Sequence, residues 1–343
     1  MAGAVSAGVG IVGCGRIGRR RAEALATARL VACADRDPAR AEALARASGG
    51  VDVERDWERL LSRSDIDIVV VATTNDALAP ITLAAVEAGK HVLVEKPAAR
   101  TSTELEPVAA AAARAHVRVR VGFNHRYHPA LRKARELVDV GALGPLLFVR
   151  GRYGHGGRLG YEREWRADPA LSGGGELIDQ GVHLIDLARW MLGEFTTVGG
   201  FAHTYFWEMP VDDNAFLLLR TPSERAAFLH VSCTEWKNLF SFEIYGRTGK
   251  LQVEGLGGSY GLERLTYFRM RPEMGPPDTE VWEYPGGDRS WEMEFEEFLD
   301  DIRLGRPPAA GLSDARAALR IVEAVYRQSG AVFAGAAGPV RSR

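Results

Sequence analysis

The sequence contains few cysteines, no long apolar run and almost no imbalance of charge. Its 3 cysteines, Cys14, Cys33 and Cys233, are too widely spaced for a disulfide framework or for the paired ligands of a zinc site, so we expect no bound metal. No apolar run approaches the roughly 18 residues of a membrane span. Met1 to Gly8 lacks the basic segment and apolar core of a secretion signal. We therefore expect a protein of the reducing cytoplasm.

Charge is balanced over the chain. Its 43 Lys and Arg residues against 45 Asp and Glu residues give no electrostatic attraction to nucleic acids or anionic membranes. We therefore expect a small-molecule partner rather than a polyanion. With 343 residues, 46% of them hydrophobic, the chain is long enough for two ordinary domains, and a cleft between domains is a common ligand site.

The first third of the sequence alternates short aliphatic runs with helical patterns. The runs are apolar nearly throughout, as expected of parallel strands covered on both faces, and lie at 9–12, 30–34, 66–72, 91–95 and 117–122. The helical segments lie at 16–28, 38–47, 56–63, 76–89 and 101–115. This alternation predicts a doubly wound parallel sheet in an α/β Rossmann domain covering residues 1–124.

After residue 124 the pattern changes to strands that follow one another. Helices are predicted at 129–138 and 176–192, and again at 290–304 and 313–328 near the end of the sequence. Between these two pairs, strand-like runs separated by turn signals lie at 198–206, 214–220, 226–234, 240–245, 250–253, 260–268 and 280–284. We therefore predict an α+β domain at residues 125–343, with a mainly antiparallel sheet and helices to one side.

A glycine loop, Gly13-Cys-Gly-Arg-Ile-Gly18, follows the first predicted strand and opens a helix. Its first glycine permits a tight turn, its second lets the backbone approach a pyrophosphate, and its third lets the helix pack on the strand. Asp35 follows the second strand, where a carboxylate would accept a hydrogen bond from an adenosine ribose hydroxyl. This arrangement predicts a bound NAD, because Asp35 repels a 2′-phosphate, although the neighbouring Arg36 leaves NADP open.

Lys96 and Pro97 follow the fourth predicted strand. In the usual strand order 3-2-1-4-5 the fourth strand lies beside the first, which puts Lys96 near the nicotinamide half of the cofactor. An ammonium there can hold a substrate oxygen as charge develops on it. The alternative is an ordinary surface lysine, since most lysines are exposed.

Several motifs resemble those of the glucose-fructose oxidoreductase and inositol dehydrogenase (Gfo/Idh/MocA) family of sugar and cyclitol oxidoreductases. They are the glycine loop with Asp35, the ATTN segment at 72–75, AGKHVLVEKP at 88–97, GFNHRYHP at 122–129 and GGGELIDQGVHLIDLARW at 173–190. The sequence departs from the family at Thr74, Leu78 and His125, where proline, histidine and arginine are common. These departures concern the lining of the nicotinamide pocket.

The resemblance implies a Rossmann domain followed by a domain whose open-faced sheet packs against a second subunit, giving a homodimer or homotetramer. It places the active site between the domains and implies that Lys96, Asp179 and His183 are catalytic. We leave His125, Tyr127 and His128 out of the catalytic set. The residues expected to contact the cofactor are Gly13, Gly15, Arg16, Ile17, Gly18, Asp35, Arg36, Thr73, Asn75, Glu95, Lys96 and Asn124.

The implied reaction is the NAD(P)-dependent oxidation of a secondary hydroxyl of a sugar, nucleotide sugar or cyclitol, or the reverse reduction of a ketone. His183 is the expected base, because an imidazole exchanges a proton near neutral pH. Asp179 would orient that imidazole, stabilise its protonated form or bind a neighbouring substrate hydroxyl. Relatives on this fold also suggest an NAD-dependent glycoside hydrolase or a non-catalytic sensor of dinucleotides.

The stretch SGGGELIDQGVHLID at 172–186 carries two of these candidates. In a helix, Asp179 and His183 stand four residues apart on one face, and the alternative to a catalytic pair is an ordinary pair on a solvated face. Ile178, Val182 and Ile185 are predicted to face the core. Residues 172–175 are predicted to be a flexible, capped entry to the helix, and Gly181 to admit the close approach of a ring.

The glycine-rich segment at 152–166 leads into this helix and contains four arginines and three aromatic residues. We predict it to be a loop over the site, in which Arg158 and Arg166 bind a phosphate or diphosphate and Trp165 or Tyr161 stacks on a ring. Tyr153 is a further candidate for substrate contact. A solvated linker explains the same composition equally well.

Overall fold

The computed structural model describes residues 7–330, which form two compact units. Unit 1 contains residues 7–124 and Trp291–Ala317, and unit 2 contains His125–Ser290 and residues 318–330. No helix within 7–330 combines the length and apolar character needed to cross a membrane.

Unit 1 is built on a six-stranded parallel sheet with the order β3-β2-β1-β4-β5-β6. Its strands are β1 (Gly8–Val12), β2 (Arg29–Ala34), β3 (Asp52–Glu54), β4 (Ile68–Val71), β5 (His91–Val94) and β6 (Val119–Val121). Its connecting helices are α1 (Arg16–Ala22), α2 (Pro38–Ala47), α3 (Trp57–Leu61), α4 (Asn75–Glu87) and α5 (Leu105–Ala115). The central strands are buried along their whole length, which confirms the predicted α/β Rossmann-type fold.

The predicted order of the strands is wrong in one respect. The sequence interpretation missed β3, because this short edge strand is largely exposed, contains two acidic residues and so carries no apolar run. With β3 in the third position, it is β4 that pairs with β1. The strand that precedes Lys96 is β5, which pairs with β4 and β6 and therefore lies one strand farther from β1 than predicted.

Unit 2 is built on an eight-stranded sheet with the order β14-β13-β12-β11-β7-β10-β9-β8. Its strands are β7 (Leu146–Gly154), β8 (Thr197–His203), β9 (Asn214–Arg220), β10 (Ala226–Ser232), β11 (Leu239–Gly246), β12 (Gly249–Glu254), β13 (Glu263–Arg269) and β14 (Asp278–Tyr284). Its helices are α6 (Pro129–Asp139), α7 (Pro169–Ser172) and α8 (Val182–Leu192). All neighbouring strands pair in antiparallel fashion except β7 and β10, so the predicted mainly antiparallel sheet is confirmed.

The sequence interpretation missed β7, although it is a central strand. Its apolar character is interrupted by Arg150, Gly151 and Arg152. The side chains alternate, so that Val149, Gly151 and Tyr153 are buried, whereas Arg150 and Arg152 are exposed. Residues 152–154, predicted as the start of a loop, therefore belong to this strand. Gly151 permits α8 to pack closely, since a Cβ there would lie 3.2 Å from Leu184.

Two further helices, α9 (Ser290–Leu304) and α10 (Leu312–Ser329), follow the second sheet in sequence. Most of α9 groups with unit 1, because Phe295 and Phe298 join the apolar core around Val9 and Ile11. Unit 1 thus includes Trp291–Ala317, which the predicted boundary at residue 124 assigned to the second domain. The division into domains that fold and act separately stays a prediction.

Candidate functional site

The predicted cofactor residues of unit 1 all follow the carboxyl ends of its parallel strands, which meet at one edge of the sheet. They are Gly13 to Gly18 after β1, Asp35 and Arg36 after β2, Thr73 and Asn75 after β4, Glu95 and Lys96 after β5, and Asn124 after β6. This edge is where open α/β sheets bind their ligands. The structure therefore brings these residues together on the side of the sheet that the cofactor prediction requires.

The three glycines of the loop between β1 and α1 have different surroundings. Gly13 has a φ of 96°, and a Cβ there would lie 2.4 Å from the carbonyl oxygen of Ala72. A Cβ on Gly18 would lie 1.9 Å from the carbonyl oxygen of Gly13, so the helix can pack on the strand only through glycine. At Gly15 the space for a Cβ is open within 4 Å. The loop thus fits the phosphates of a dinucleotide, since backbone at Gly15 is accessible from outside.

Asp35 is held by the backbone around it. Its carboxylate accepts hydrogen bonds from the amides of Cys14, at 2.7 Å, and Asp37, at 2.8 Å. An ionised carboxylate offers about four acceptor positions, so Asp35 retains capacity for a ribose hydroxyl. Its neighbour Arg36 is exposed. The roles of both residues in cofactor selection stay predictions.

Glu95 lies in a buried cluster of charges. Its carboxylate accepts from Nε of Arg21 at 2.6 Å, and the same guanidinium donates to Glu294 at 2.6 Å and lies 4.4 Å from the ring of Trp291. Lys96, the next residue, is half-buried. The structure thus gives Glu95 a partner within unit 1, and its predicted contact with the cofactor stays a prediction.

Asp179 and His183 of unit 2 are both buried, with exposed fractions of 8% and 3%. Asp179 lies in a single π-helical turn, Leu177–Gly181, and His183 in the first turn of α8. The Nε atom of Arg166 donates to Asp179 Oδ2 at 2.8 Å, and the charge of Asp179 is the main cause of a raised pKa for Arg166. The alternative of a pair on a solvated helix face is therefore wrong. A π-turn is rare and is frequent at functional sites.

Aromatic rings surround His183. The ring of His125 stacks on it with centroids 3.8 Å apart, and Tyr153 approaches both imidazoles edge-on. Burial raises the pKa of Tyr153 well above its ordinary value, so this side chain is a neutral hydroxyl. The sequence interpretation does not include His125 in the site. The GFNHRYHP segment, which also contains the predicted cofactor residue Asn124, is the sequence signal that could have identified it. His128 instead pairs with buried Glu263 at 2.9 Å.

The segment before Asp179 is ordered by ion pairs. Arg158 pairs with Glu164 at 2.7 Å, and the guanidinium of Arg166, already bound to Asp179, lies 4.6 Å from the ring of Trp165. Tyr161 lies within 3.5 Å of the buried carboxylate of Glu176. Of the predicted substrate residues, Arg166 thus contacts Asp179, and Tyr153, which belongs to β7, contacts the imidazole of His183.

Asp212 positions the turn that carries Asp179, and the sequence interpretation missed it. Its two carboxylate oxygens accept from the amides of Gly175 and Leu177, and one also accepts from the hydroxyl of Tyr326 at 2.7 Å. Burial raises the pKa of Asp212 to about 6. The only local signal was a pair of adjacent aspartates before β9.

The glycines before this turn are sites of close packing, and the prediction of a flexible entry is wrong. A Cβ on Gly174 would lie 2.3 Å from the Tyr326 hydroxyl, and one on Gly175 would lie 1.9 Å from the Asp212 carbonyl oxygen. Gly181 also serves packing, because a Cβ there would lie 2.9 Å from Leu177 and 3.3 Å from Val231. The predicted core residues Ile178, Val182 and Ile185 are buried, as expected.

Two family models match the chain in consecutive segments. Residues 7–123 match the model described as an oxidoreductase family with an NAD-binding Rossmann fold. Residues 131–252 match the model of the GFO/IDH/MocA C-terminal domain. The first match contains the glycine loop and Lys96, and the second contains Asp179 and His183.

Several named proteins with similar sequences and structures are dehydrogenases. The levoglucosan dehydrogenase of Pseudarthrobacter phenanthrenivorans is 32% identical over 253 residues, a match that spans 64% of this chain but only 63% of that protein. An inositol 2-dehydrogenase of Rhizobium meliloti is 28% identical over 336 residues, or 93% of this chain and 95% of that protein. A structure of levoglucosan dehydrogenase with NADH and L-sorbose has a TM-score of 0.83 at 25% identity, covering 94% of this chain and 98% of that one.

Proposed function

Because the chain belongs to the GFO/IDH/MocA family of NAD-binding oxidoreductases, we propose that it oxidises a secondary hydroxyl of a neutral sugar or cyclitol, or reduces the corresponding ketone. The observation that carries this proposal is the burial of both Asp179 and His183, with the half-buried Arg166 bound to Asp179. Burying a carboxylate and an imidazole is unfavourable unless they are paired, and perturbed, buried titratable groups concentrate at functional sites. A pair on a solvated helix surface would need neither the ion pair of Asp179 with Arg166 nor the stacking of His183 on His125.

Bound NAD supplies the acceptor or donor of the hydride. The chain would hold its phosphates at Gly13 to Gly18 and its adenosine ribose at Asp35, because the open space at Gly15 and the oriented carboxylate suit those groups. Lys96 holds the substrate oxygen as its proton leaves, a role that rests on the family resemblance. The assignment of NAD rather than NADP rests on Asp35.

In the reaction, His183 takes the proton of the substrate hydroxyl. The ring of His125 stacks on the imidazole of His183 and restricts its plane. The imidazole is therefore oriented before the substrate binds. Asp179 accepts from Arg166, and its carboxylate has acceptor capacity for a substrate hydroxyl next to the reacting one. Asp212 and the packed glycines hold the π-turn, and thereby Asp179, in place.

The ion pairs favour a neutral substrate over a nucleotide sugar. Arg158 and Arg166, the two arginines predicted to bind phosphate, are paired with Glu164 and Asp179 respectively. A phosphate would have to displace these carboxylates or lie beside their negative charge. Levoglucosan and inositol, the compounds in the names of the two relatives, are uncharged polyols.

Replacing His183 by alanine tests the proposal. The first step is a screen of cyclitols, hexoses and nucleotide sugars with NAD and with NADP, followed by absorbance of the reduced cofactor. With the best substrate, His183→Ala should lower kcat by about 10²- to 10⁴-fold, the usual contribution of a general base, while the Kd for NAD stays unchanged.

His230→Ala is the matched control, since this half-buried histidine of β10 stacks on Phe216. It should retain the wild-type kcat. A near-wild-type kcat for His183→Ala would refute the role of His183, and a screen with no turnover of any polyol would refute the proposed activity.

We also propose self-association through the open face of the second sheet. Phe148, Phe201, Leu218 and Phe228 are exposed on β7 to β10, and Leu218 and Phe228 are cross-strand neighbours. Large apolar side chains exposed on four neighbouring strands favour contact with a partner. Light scattering measures the mass in solution, and a monomer at micromolar concentration would contradict the proposal.

A further inference from the structure

Three loops of unit 2 leave its sheet at the same edge. β7 ends at Gly154, β10 ends at Ser232, β8 ends at His203 and β9 begins at Asn214, and pairing sets these residues side by side. The loops at 155–168, 204–213 and 233–238 therefore neighbour one another. The first of them brings Arg166 to Asp179.

The other two loops present aromatic rings to solvent. Phe206 packs edge-on against Trp207, with centroids 5.1 Å apart, and against Trp236, with centroids 4.7 Å apart. Phe206 is 54% exposed and Trp236 is 67% exposed. We call Phe206, Trp207 and Trp236 the aromatic shelf. Large aromatic groups are usually buried, and a cluster exposed in this way marks a binding surface.

The aromatic shelf is continuous with the candidate active site. The ring of Trp207 lies 5.6 Å from that of Tyr161, whose hydroxyl is within 3.5 Å of Glu176. The charges of Glu176 and Asp179 both act on Tyr161, where they add to the effect of burial in raising its pKa. A row of rings thus leads from solvent to the turn that carries Asp179.

The backbone holds the aromatic shelf rigidly. Asp213 accepts hydrogen bonds from the amides of three consecutive residues, Tyr205, Phe206 and Trp207, at 2.7 to 3.0 Å. The indole N–H of Trp207 donates to the carbonyl of Cys233 at 3.0 Å. Because these rings are already ordered, a ligand that stacks on them loses little conformational entropy on binding.

Two backbone features belong to this arrangement, a glycine in close contact with Trp207 and a strained conformation at Trp236. Gly157 packs so closely that a Cβ there would lie 2.3 Å from the indole of Trp207. Trp236 has a φ of 59°, in the left-handed region that a bulky residue rarely adopts. Strained residues of this kind concentrate at ligand sites.

We propose that the aromatic shelf binds a second sugar ring, so that the substrate is a neutral disaccharide or glycoside of which only one ring is oxidised. The apolar C–H face of a pyranose stacks on an aromatic face, whereas its hydroxyls at the rim remain in water. The inference rests on the proposed function for the identity of the first ring. The paired arginines of the adjacent loop argue against a nucleotide as the second group.

Calorimetric titration without cofactor tests the aromatic shelf directly. The probes are cellobiose, maltose and lactose, compared with glucose and galactose. At least one disaccharide should bind the wild-type protein more tightly than its monosaccharides, and Trp236→Ala or Phe206→Ala should weaken that binding about tenfold, the scale of one lost stacking contact. The Kd values for the monosaccharides should not change.

Trp282→Ala is the matched control, because this half-buried tryptophan lies on β14 at the other end of the sheet order. It should leave every Kd unchanged. Disaccharides that bind no more tightly than monosaccharides, or not at all, would overturn the proposal. It would also be overturned if Trp236→Ala dissociated an oligomer in light scattering without altering disaccharide binding, since the shelf would then be a subunit interface.

The same titrations separate this inference from the proposed activity. If a disaccharide binds through Trp236 but no polyol is oxidised in the screen, the proposed dehydrogenase activity fails and the shelf stands. If monosaccharides are oxidised through His183 without any advantage for disaccharides, the shelf fails and the activity stands.

Discussion

Replacing Arg21 by methionine would measure how much the buried charge cluster of Arg21, Glu95 and Glu294 contributes to stability. The side chain is fully buried and bridges Glu95, which precedes Lys96, and Glu294 of α9. Methionine fills a similar volume and stays compatible with α1. The substitution therefore removes the cation that both buried carboxylates contact.

The expected loss of stability is large. Removing one partner from a buried ion pair costs about 3–5 kcal/mol, because the remaining charge is left without compensation. Burial already raises the pKa of Glu294, and Arg21 opposes this rise. Without Arg21, the folded-state pKa of Glu294 should rise further above its unfolded value. The penalty is then absent below about pH 4.5 and grows as the pH rises through the folded-state pKa of Glu294.

Urea and thermal unfolding at pH 5 and pH 7.5 measure this penalty. At pH 7.5, Arg21→Met should lose about 4 kcal/mol, which corresponds to a fall in Tm of about 10 °C for a unit of this size. At pH 5 the loss should be smaller. Arg19→Met, on the exposed side of the same helix, should change stability by less than about 0.5 kcal/mol.

A stability within about 1 kcal/mol of wild type at pH 7.5 would refute this reasoning, since it is below the range for an unpaired buried charge. The variant Arg21→Met/Glu95→Gln/Glu294→Gln provides an internal check. It removes the charges together and should recover much of the loss. No recovery would mean that packing rather than charge causes the effect.

Two further predictions concern the glycine loop and Asp212. Gly18→Ala should destabilise the protein by about 1–3 kcal/mol, because the new Cβ would lie 1.9 Å from the carbonyl oxygen of Gly13. Gly15→Ala should keep its stability but bind NAD about tenfold more weakly in titrations. Equal behaviour of the two variants would contradict the assigned roles. The stabilising contribution of Asp212 is full below pH 3.8 and is lost as the pH rises through about 6, a change of about 3 kcal/mol. Unfolding at pH 5 and 7.5 should show a weaker pH dependence in Asp212→Asn, and an unchanged dependence would exclude Asp212 as its source.

Much of unit 1 could be predicted because its determinants are local. Strands β1 and β4 are apolar along their whole length, β5 is apolar after His91, and the glycine loop has a fixed position relative to β1. Such features follow from burial on both faces of a parallel sheet. The prediction failed where this cause was absent, at the exposed edge strand β3, and that one omission shifted the predicted neighbour of β1.

In unit 2 the individual strands were mostly recognisable from the sequence, but the contacts around His183 were not. β7 is a central strand whose alternating arginines resemble a loop, and it contributes Tyr153 beside His183. His125 comes from a turn far earlier in the chain and still stacks on the same imidazole. These contacts depend on which strands become neighbours, and a pattern of local periodicity contains no information about that.

The turn around Asp179 shows the limit most clearly. From helical spacing we predicted an α-helix with a flexible start that carries Asp179 and His183, and both residues are buried in the structure. The segment instead contains a π-turn. Asp212 and Tyr326 occupy the space beside the glycines that precede this turn. Leu177 and Asp212 are 35 residues apart in sequence. A wide helical turn is less favourable than an α-turn on its own, so the acceptors of Asp212 compensate for it. It follows that the position of Asp179 depends on a side chain outside the motif, and that a chain with an intact motif but no carboxylate at residue 212 would hold the turn that carries Asp179 less firmly.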